Sequence, residues 1–238
     1  MDLSTQAAGI GTLADETRRA LYEYVSGQPE PVGREQAAAA LGLASHNVNF
    51  HLDRLVTEGL LEVEYRRLSG KTGPGAGRPS KLYRRASREF AVSLPPRRYD
   101  LVGDILAAAV TRAAEGAPLD QALHECARRQ GLSLGQDAEG LDRSESLHAL
   151  AEVLRSQDFE PQVRDDELVL SNCPFDTLAQ KHTALVCGLN QAFVQGVADS
   201  LDSDITAHLE PEPGKCCVKA RPASASVRRV VEDPDLPS

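Results

Sequence analysis

The fold of the first part of the chain is decided by residues 45–66, which read SHNVNFHLDRLVTEGLLEVEYR. Apolar side chains recur here at the spacing of one buried face of a helix, at Val48, Leu52, Leu55 and Val56. We therefore predict an amphipathic helix that begins at Ser45, whose hydroxyl can cap the free N–H groups of its first turn. Gly59 ends this helix, and the alternation over residues 60–66 predicts a strand.

The flanking sequence supplies the remaining elements of a small DNA-binding fold. Upstream, residues 10–27 predict one helix and residues 34–41 a second, shorter one that stops at Gly42. Downstream, the glycine-rich residues 69–77 predict a flexible loop, and residues 78–84 predict a return strand. Two helices, a turn, a third helix and a hairpin follow one another in the order of a winged helix-turn-helix.

Charge is distributed unevenly along the 238-residue chain. The net charge is −9, yet residues 1–99 carry 14 basic against 11 acidic residues, and the remainder carries 12 against 24. Eight basic residues and no acidic one lie between Arg66 and Arg88. Because phosphate contacts act over about a Debye length, ~10 Å, the local charge favours a nucleic-acid surface despite the acidic whole.

We expect the helix from Ser45 to enter the major groove, which accepts one helix. Its outward side chains are predicted to meet base edges, with Asn suited to adenine and Phe to a thymine methyl group: Ser45, His46, Asn47, Asn49 and Phe50. Phosphate contacts are predicted for Arg54 and for the hairpin residues Arg66, Arg67, Lys71, Arg78, Lys81 and Arg84. The alternative for each of these sets is a solvated polar face.

The second part of the chain predicts a mixed domain. Helices are expected at residues 99–115, 119–130, 144–156 and 174–201, the last broken near His182, with a hairpin over 159–170 and a strand pair at 205–209 and 216–220. The predicted fold class is α+β: a winged-helix domain over 1–94, a dimerisation and sensor domain over 95–220, and a disordered tail over 221–238. The apolar helix 99–115 could pair two subunits or pack within its own domain.

Five cysteines are too few for a disulfide scaffold, so they are expected to be core residues, metal ligands or redox-active thiols. Cys173 lies where a strand is predicted to meet a helix, and the positive end of that helix would favour a thiolate. Cys216 and Cys217 fall on a predicted strand, where neighbouring side chains point to opposite faces, so we expect one of them to face a site shared with Cys187. Cys126 is expected in the core.

Two sets of motifs resemble known regulators. Residues 44–55, 58–61 and 77–83 resemble the winged-helix regulators related to the ArsR family. The segments around Cys173, Cys187 and Cys216–Cys217 resemble the sensor half of SufR-type regulators, which are homodimeric repressors that hold an iron–sulfur cluster. The resemblance implies an iron–sulfur cluster on Cys173, Cys187 and one of Cys216 and Cys217. Three sulfurs from three elements could hold a [4Fe–4S] cluster whose fourth position is open or non-cysteine, and His182, at the predicted helix break, is a candidate fourth ligand. Zinc, a thiol switch and buried structural cysteines remain alternatives.

Together these observations predict a sequence-specific, DNA-binding transcriptional repressor that forms a homodimer on an inverted-repeat operator. The alternative is a winged-helix regulator with a zinc, thiol or small-molecule effector site and no cluster. An enzyme is not expected, because the chain has no Gly-x-Ser-x-Gly, P-loop or His-Glu-x-x-His motif. A cytoplasmic location is expected, since the sequence shows no signal peptide and no run of about 20 apolar residues.

Overall fold

A computed structural model of the protein describes residues 3–67, 78–138, 145–201 and 204–223. The chain divides into two compact units between Val92 and Ser93. Lys71, the glycine-rich loop predicted at 69–77 and the part of the predicted tail from residue 224 onward lie outside the described residues. Among the residues that are described, no helix is both long and apolar enough to cross a membrane.

The first unit has the helix and strand order of a winged helix-turn-helix, as predicted. Its elements are α1 Leu3–Thr12, α2 Glu16–Ser26, β1 Val32–Gly33, α3 Arg34–Leu41, α4 Ser45–Thr57, β2 Leu61–Arg66 and β3 Ser80–Arg85. The three strands form one antiparallel sheet in the order β1-β3-β2.

The start of the unit differs from the single helix expected over 10–27. Two helices are present, and the chain between them turns at Asp15, which has an extended backbone and caps α2. Its carboxylate accepts a hydrogen bond of 2.9 Å from the Arg18 N–H. A side-chain acceptor here satisfies an N–H that a continuous helix would have bonded to a carbonyl, so α2 begins afresh at Glu16.

Helix α4 buries the face that its sequence predicts, since Val48, Leu52 and Leu55 are fully buried in the core of the unit. Its capping was wrongly predicted. Ala44 is the N-cap residue and makes no side-chain capping bond. The Ser45 hydroxyl instead donates a 2.6 Å hydrogen bond to the Glu35 carboxylate on α3, because a charged acceptor competes successfully for it.

The second unit is a mixed helical and antiparallel domain, so the α+β class is confirmed. Its elements are α5 Tyr99–Ala114, α6 Leu119–Gln136, α7 Ser146–Ser156, β4 Pro161–Arg164, β5 Glu167–Leu170, α8 Asp176–Lys181, α9 Thr183–Ser200, β6 Ile205–Leu209 and β7 Val218–Pro222. The strand order is β4-β5-β7-β6. The predicted helix break at His182 is confirmed, whereas β7 continues to Pro222 and buries Arg221, where the tail was expected to begin.

Helix α9 is the centre of this unit's core. Phe193, Val194 and Val197 are fully buried, and Phe193 stacks on Phe159 with ring centroids 5.9 Å apart. Helix α5 contributes its apolar residues Leu101, Val102, Ile105 and Ala109 to the same core. The packing face of α5 therefore lies within its own domain, while Val110 stays exposed.

Candidate nucleic-acid interface and cysteine cluster

The outward face of α4 carries several of the predicted base-reading side chains. His46, Asn47, Phe50 and Arg54 are exposed, and Ser45 and Asn49 are half-buried. Phe50 is 66% exposed, and its ring meets that of His51 edge-on at 5.4 Å between centroids, so most of the ring is accessible to a partner. Helix α4 thus presents amide, imidazole and aromatic groups of the kinds that read base edges in a major groove.

Asp53, which the sequence did not single out, joins this face to the wing strand β3. Its carboxylate accepts hydrogen bonds from Lys81 Nζ at 2.5 Å, from the Tyr83 hydroxyl at 3.0 Å and from Asn49 Nδ2 at 3.1 Å. Burial acts to raise the pKa of Asp53, but the bonds from Lys81, Tyr83 and Asn49 outweigh it and hold the pKa below its ordinary value. The carboxylate is therefore ionised and accepts three hydrogen bonds from neighbouring side chains.

The wing cations are exposed, but several are paired with acidic side chains. The described ion pairs of the wing join Arg66 to Glu30 and Glu64, both at 3.3 Å, and Arg84 to Glu62 at 2.9 Å. On helix α4, Arg54 pairs with Glu58 at 2.6 Å. Arg67 and Arg78 are also exposed. Exposed ion pairs contribute roughly 0–1 kcal/mol, so a DNA phosphate can compete for these guanidinium groups.

Four of the five cysteines meet in the second unit. Cys173 follows β5, Cys187 is buried in the first half of α9, and Cys216 and Cys217 come just before β7. Electrostatic interactions link Cys216 with Cys173 and Cys217 with Cys187. The expected placement of the adjacent pair on a strand is wrong, because both cysteines precede β7, which begins at Val218.

The two pairs differ in their electrostatics. The bond from Cys216 lowers the pKa of Cys173 to about 7, against the effect of burial and with help from the Phe175 N–H. Burial and the contact with Cys217 raise the pKa of Cys187 to about 12, and the bond to Cys173 together with burial raises the pKa of Cys216. Cys173 is therefore the thiol that ionises most readily among these three.

One further residue contacts the cysteine pairs, and the two other candidates lie elsewhere. Asn190, 2% exposed on α9, donates from Nδ2 to Cys216 Sγ at 3.2 Å, and its Oδ1 has no hydrogen-bond partner among the described atoms. His182 is exposed at the junction of α8 and α9, and Cys126 is buried in the core on α6. Within the described ranges, no three His, Cys, Asp or Glu side chains are already arranged to hold a metal ion.

The Cys173 segment is fastened to the stretch that precedes α5. Arg97 Nη1 donates to Asn172 Oδ1 at 2.6 Å and to the Cys173 carbonyl at 3.1 Å. Asn172 Nδ2 donates to the Pro96 carbonyl at 3.0 Å, and the Arg98 N–H donates to the Pro174 carbonyl at 3.0 Å. Nothing in the sequence pattern signalled Arg97 or Asn172, because about 75 residues separate these partners.

Comparison with known proteins bears on the first unit. A family model described as a helix-turn-helix domain matches residues 13–64, which run from just before α2 into β2. No curated protein and no solved structure matches the chain. The match and the winged architecture support a DNA-binding transcriptional regulator rather than an enzyme.

Proposed function

We propose that the protein is a homodimeric repressor that reads an inverted-repeat operator through α4 and senses iron–sulfur status in its second unit. The observation that carries the sensing role is the convergence of four cysteine thiols from distant segments into two contacting pairs. Thiolates are the usual protein ligands of iron–sulfur clusters, so these thiols are donors of the right kind for such a group. In the described part of the chain, no three of the His, Cys, Asp and Glu side chains already surround a metal position, so binding would have to draw the two pairs together. The four sulfurs are those of Cys173, Cys187, Cys216 and Cys217.

When bound, a [4Fe–4S] cluster supplies a redox- and oxygen-sensitive group whose presence can be signalled. The residues of the chain do the signalling. Asn190 orients the Cys216 sulfur, and Cys173 is the thiol most ready to become a ligand. With four thiols at hand, the exposed His182 is not needed as the fourth ligand.

Coupling to DNA is proposed to run through residues 96–98. Because Arg97 and Asn172 bond this stretch to the Cys173 segment, a backbone change at Cys173 also displaces the start of the second unit. That stretch follows the DNA-binding unit, which ends at Val92, by only a few residues along the chain. In a two-fold symmetric dimer the change would alter the spacing of the two α4 helices, which must match half-sites roughly one DNA turn apart.

The test is anaerobic purification with quantification of iron, sulfide and zinc, followed by binding of the loaded and unloaded protein to a selected operator duplex. We expect brown protein with stoichiometric iron and sulfide, and operator affinity that differs between the two forms. Cys173→Ala should lose the iron, whereas Cys126→Ala, the matched control on α6, should keep it. Colourless protein, or equal affinity in both forms, contradicts the sensing role.

A second candidate is a zinc or thiol sensor on the same residues. It is favoured by the contact between Cys173 and Cys216, since a thiol whose pKa is about 7 beside a second thiol is suited to redox chemistry or to zinc. Stoichiometric zinc in colourless protein would support the zinc form. A Cys173–Cys216 disulfide found by peptide mass mapping after peroxide treatment would support the thiol form.

A further inference from the structure

We propose that Asp53 is a positioning residue for DNA recognition: it fixes the Asn49 amide in the orientation that reads adenine, and Lys81 and Tyr83 hold Asp53 in place. The inference rests on the proposed reading of DNA by α4. In this arrangement Lys81, which the sequence predicted as a phosphate contact, holds a residue of helix α4 in place instead. The evidence is the set of three hydrogen bonds that meet at one carboxylate.

The orientation of Asn49 follows from the chemistry of its neighbour. An ionised carboxylate only accepts hydrogen bonds, so the NH₂ group of Asn49, and not its carbonyl, must face Asp53. One amide hydrogen is thereby used at 3.1 Å, and the second hydrogen and the carbonyl oxygen stay available. Those are the donor and acceptor that pair with N7 and the N6 amino group of adenine.

Asp53 in turn is fixed from the wing strand. Tyr83 is 1% exposed in the core of the first unit, so its hydroxyl is a rigid anchor for the carboxylate. Lys81 completes the anchor with an ion pair at 2.5 Å. Both residues lie on β3, which pairs with β1 and β2. The position of the Asp53 carboxylate is therefore fixed by the sheet as well as by helix α4.

The arrangement also has an electrostatic consequence. Asp53 places a negative charge on the helix face proposed to enter the groove, where it repels DNA and occupies the Lys81 cation. A carboxylate there lowers the affinity for DNA of every sequence. Its presence on this face is therefore consistent with a role in discriminating between sequences rather than in binding strength. Removing the charge should therefore raise binding to random duplex while lowering discrimination at the adenine.

The experiment selects binding sites for the full-length protein from double-stranded oligonucleotides with a randomised centre. It compares wild type with Asn49→Ala, Asp53→Asn and Tyr83→Phe. The matched control is Glu58→Gln, which removes one carboxylate from the end of the same helix without touching Asn49. Anisotropy titrations then measure the affinity ratio between the selected duplex and one with the preferred A·T pair changed to G·C.

We expect wild type to select adenine at one position in each half-site. Asn49→Ala should lower the ratio by roughly 5- to 150-fold, the discrimination of one bidentate pair. Asp53→Asn should lose most of that ratio and bind random duplex more tightly, and Tyr83→Phe should lose part of it. Glu58→Gln should bind all duplexes more tightly and keep the ratio.

A ratio in Asp53→Asn within twofold of wild type, with the ratio lost in Asn49→Ala, overturns the positioning role and leaves DNA reading by α4 intact. An unaltered ratio in Asn49→Ala overturns the assignment of Asn49 as the adenine reader and the inference with it. A wild-type protein that selects no motif overturns the proposed function itself. Circular dichroism of each variant separates these outcomes from misfolding, and Tyr83→Phe tests the same anchor should Asp53→Asn fail to fold.

Discussion

Replacing Gly131 with alanine should destabilise the second unit, because this glycine lets helices α6 and α9 touch through their backbones. A Cβ atom at residue 131 would lie 2.1 Å from the Phe193 carbonyl oxygen and 2.8 Å from the Val197 nitrogen. The reverse contact is equally close, since a Cβ at Gly196 would lie 2.0 Å from the Arg128 carbonyl oxygen. Neither clash involves a side chain that can rotate away, so the two helices must separate.

The magnitude follows from two opposing contributions. Alanine is favoured over glycine inside a helix by about 1 kcal/mol. Overpacking a core typically costs about 1–3 kcal/mol and more where backbone must move. Here separation of the helices would also loosen the fully buried Phe193 and Val197, so we expect a net loss of about 2 kcal/mol or more in the free energy of unfolding.

The assay is urea unfolding followed by far-ultraviolet circular dichroism, with Gly103→Ala as the matched control. Gly103 lies on the exposed side of helix α5, and a Cβ there meets nothing within 4 Å. That variant should gain roughly 0.5–1 kcal/mol from helix propensity alone. If Gly131→Ala unfolds at the same urea concentration as Gly103→Ala, the two helices do not pack as closely as described, and the placement of Cys187 on α9 is equally in doubt.

Three further variants probe the two sites. Arg84→Ala on the wing should weaken binding to specific and random duplexes alike. It should also reduce the slope of log K against log salt concentration by about 1, measured by anisotropy at several salt concentrations. A loss of affinity confined to the selected sequence would contradict a phosphate role. Arg97→Ala should lower the free energy of unfolding by about 1–3 kcal/mol in thermal denaturation, because it removes the donor to the Oδ1 atom of the buried Asn172 and one of the two donors to the Cys173 carbonyl. Phe193→Leu should cost about 1–3 kcal/mol by the same assay, through lost stacking on Phe159 and incomplete filling of the space, and an unchanged midpoint would place this ring outside the core.

The elements that could be predicted are those whose signal is local. The apolar stripe predicted on α4 follows helical spacing, and the structure buries Val48, Leu52 and Leu55 and half-buries Val56. The helix break at His182 could also be predicted from the sequence. Helix α6 was expected to end at Gln130, yet it continues through Gly131 to Gln136. A buried glycine inside a helix signals a close neighbour, and only the position of α9 shows that Gly131 is such a glycine.

The sequence gives only the total charge of the wing, the hairpin of β2 and β3, and not the ion pairs that its cations form. The sequence between Arg66 and Arg88 contains no acid, so its cations were treated as available to phosphates. In the fold, the register of β2 and β3 places Glu62 opposite Arg84, and Lys81 reaches Asp53, 28 residues earlier. Because such pairings depend on strand register and helix docking, a charge count along the chain overstates the free positive charge of the hairpin.

The cysteine pairing shows the same limit at the candidate sensor. On a regular strand, Cys216 and Cys217 would point to opposite faces, and one of them would be lost to any shared site. Instead the Cys216 N–H donates to the Leu170 carbonyl at the end of β5, whereas the Cys217 carbonyl accepts from the Glu210 N–H after β6. One cysteine is thus held beside the strand that leads to Cys173, and its neighbour contacts Cys187 on α9. The two adjacent cysteines therefore have different cysteine neighbours, which the alternation of a strand could not predict.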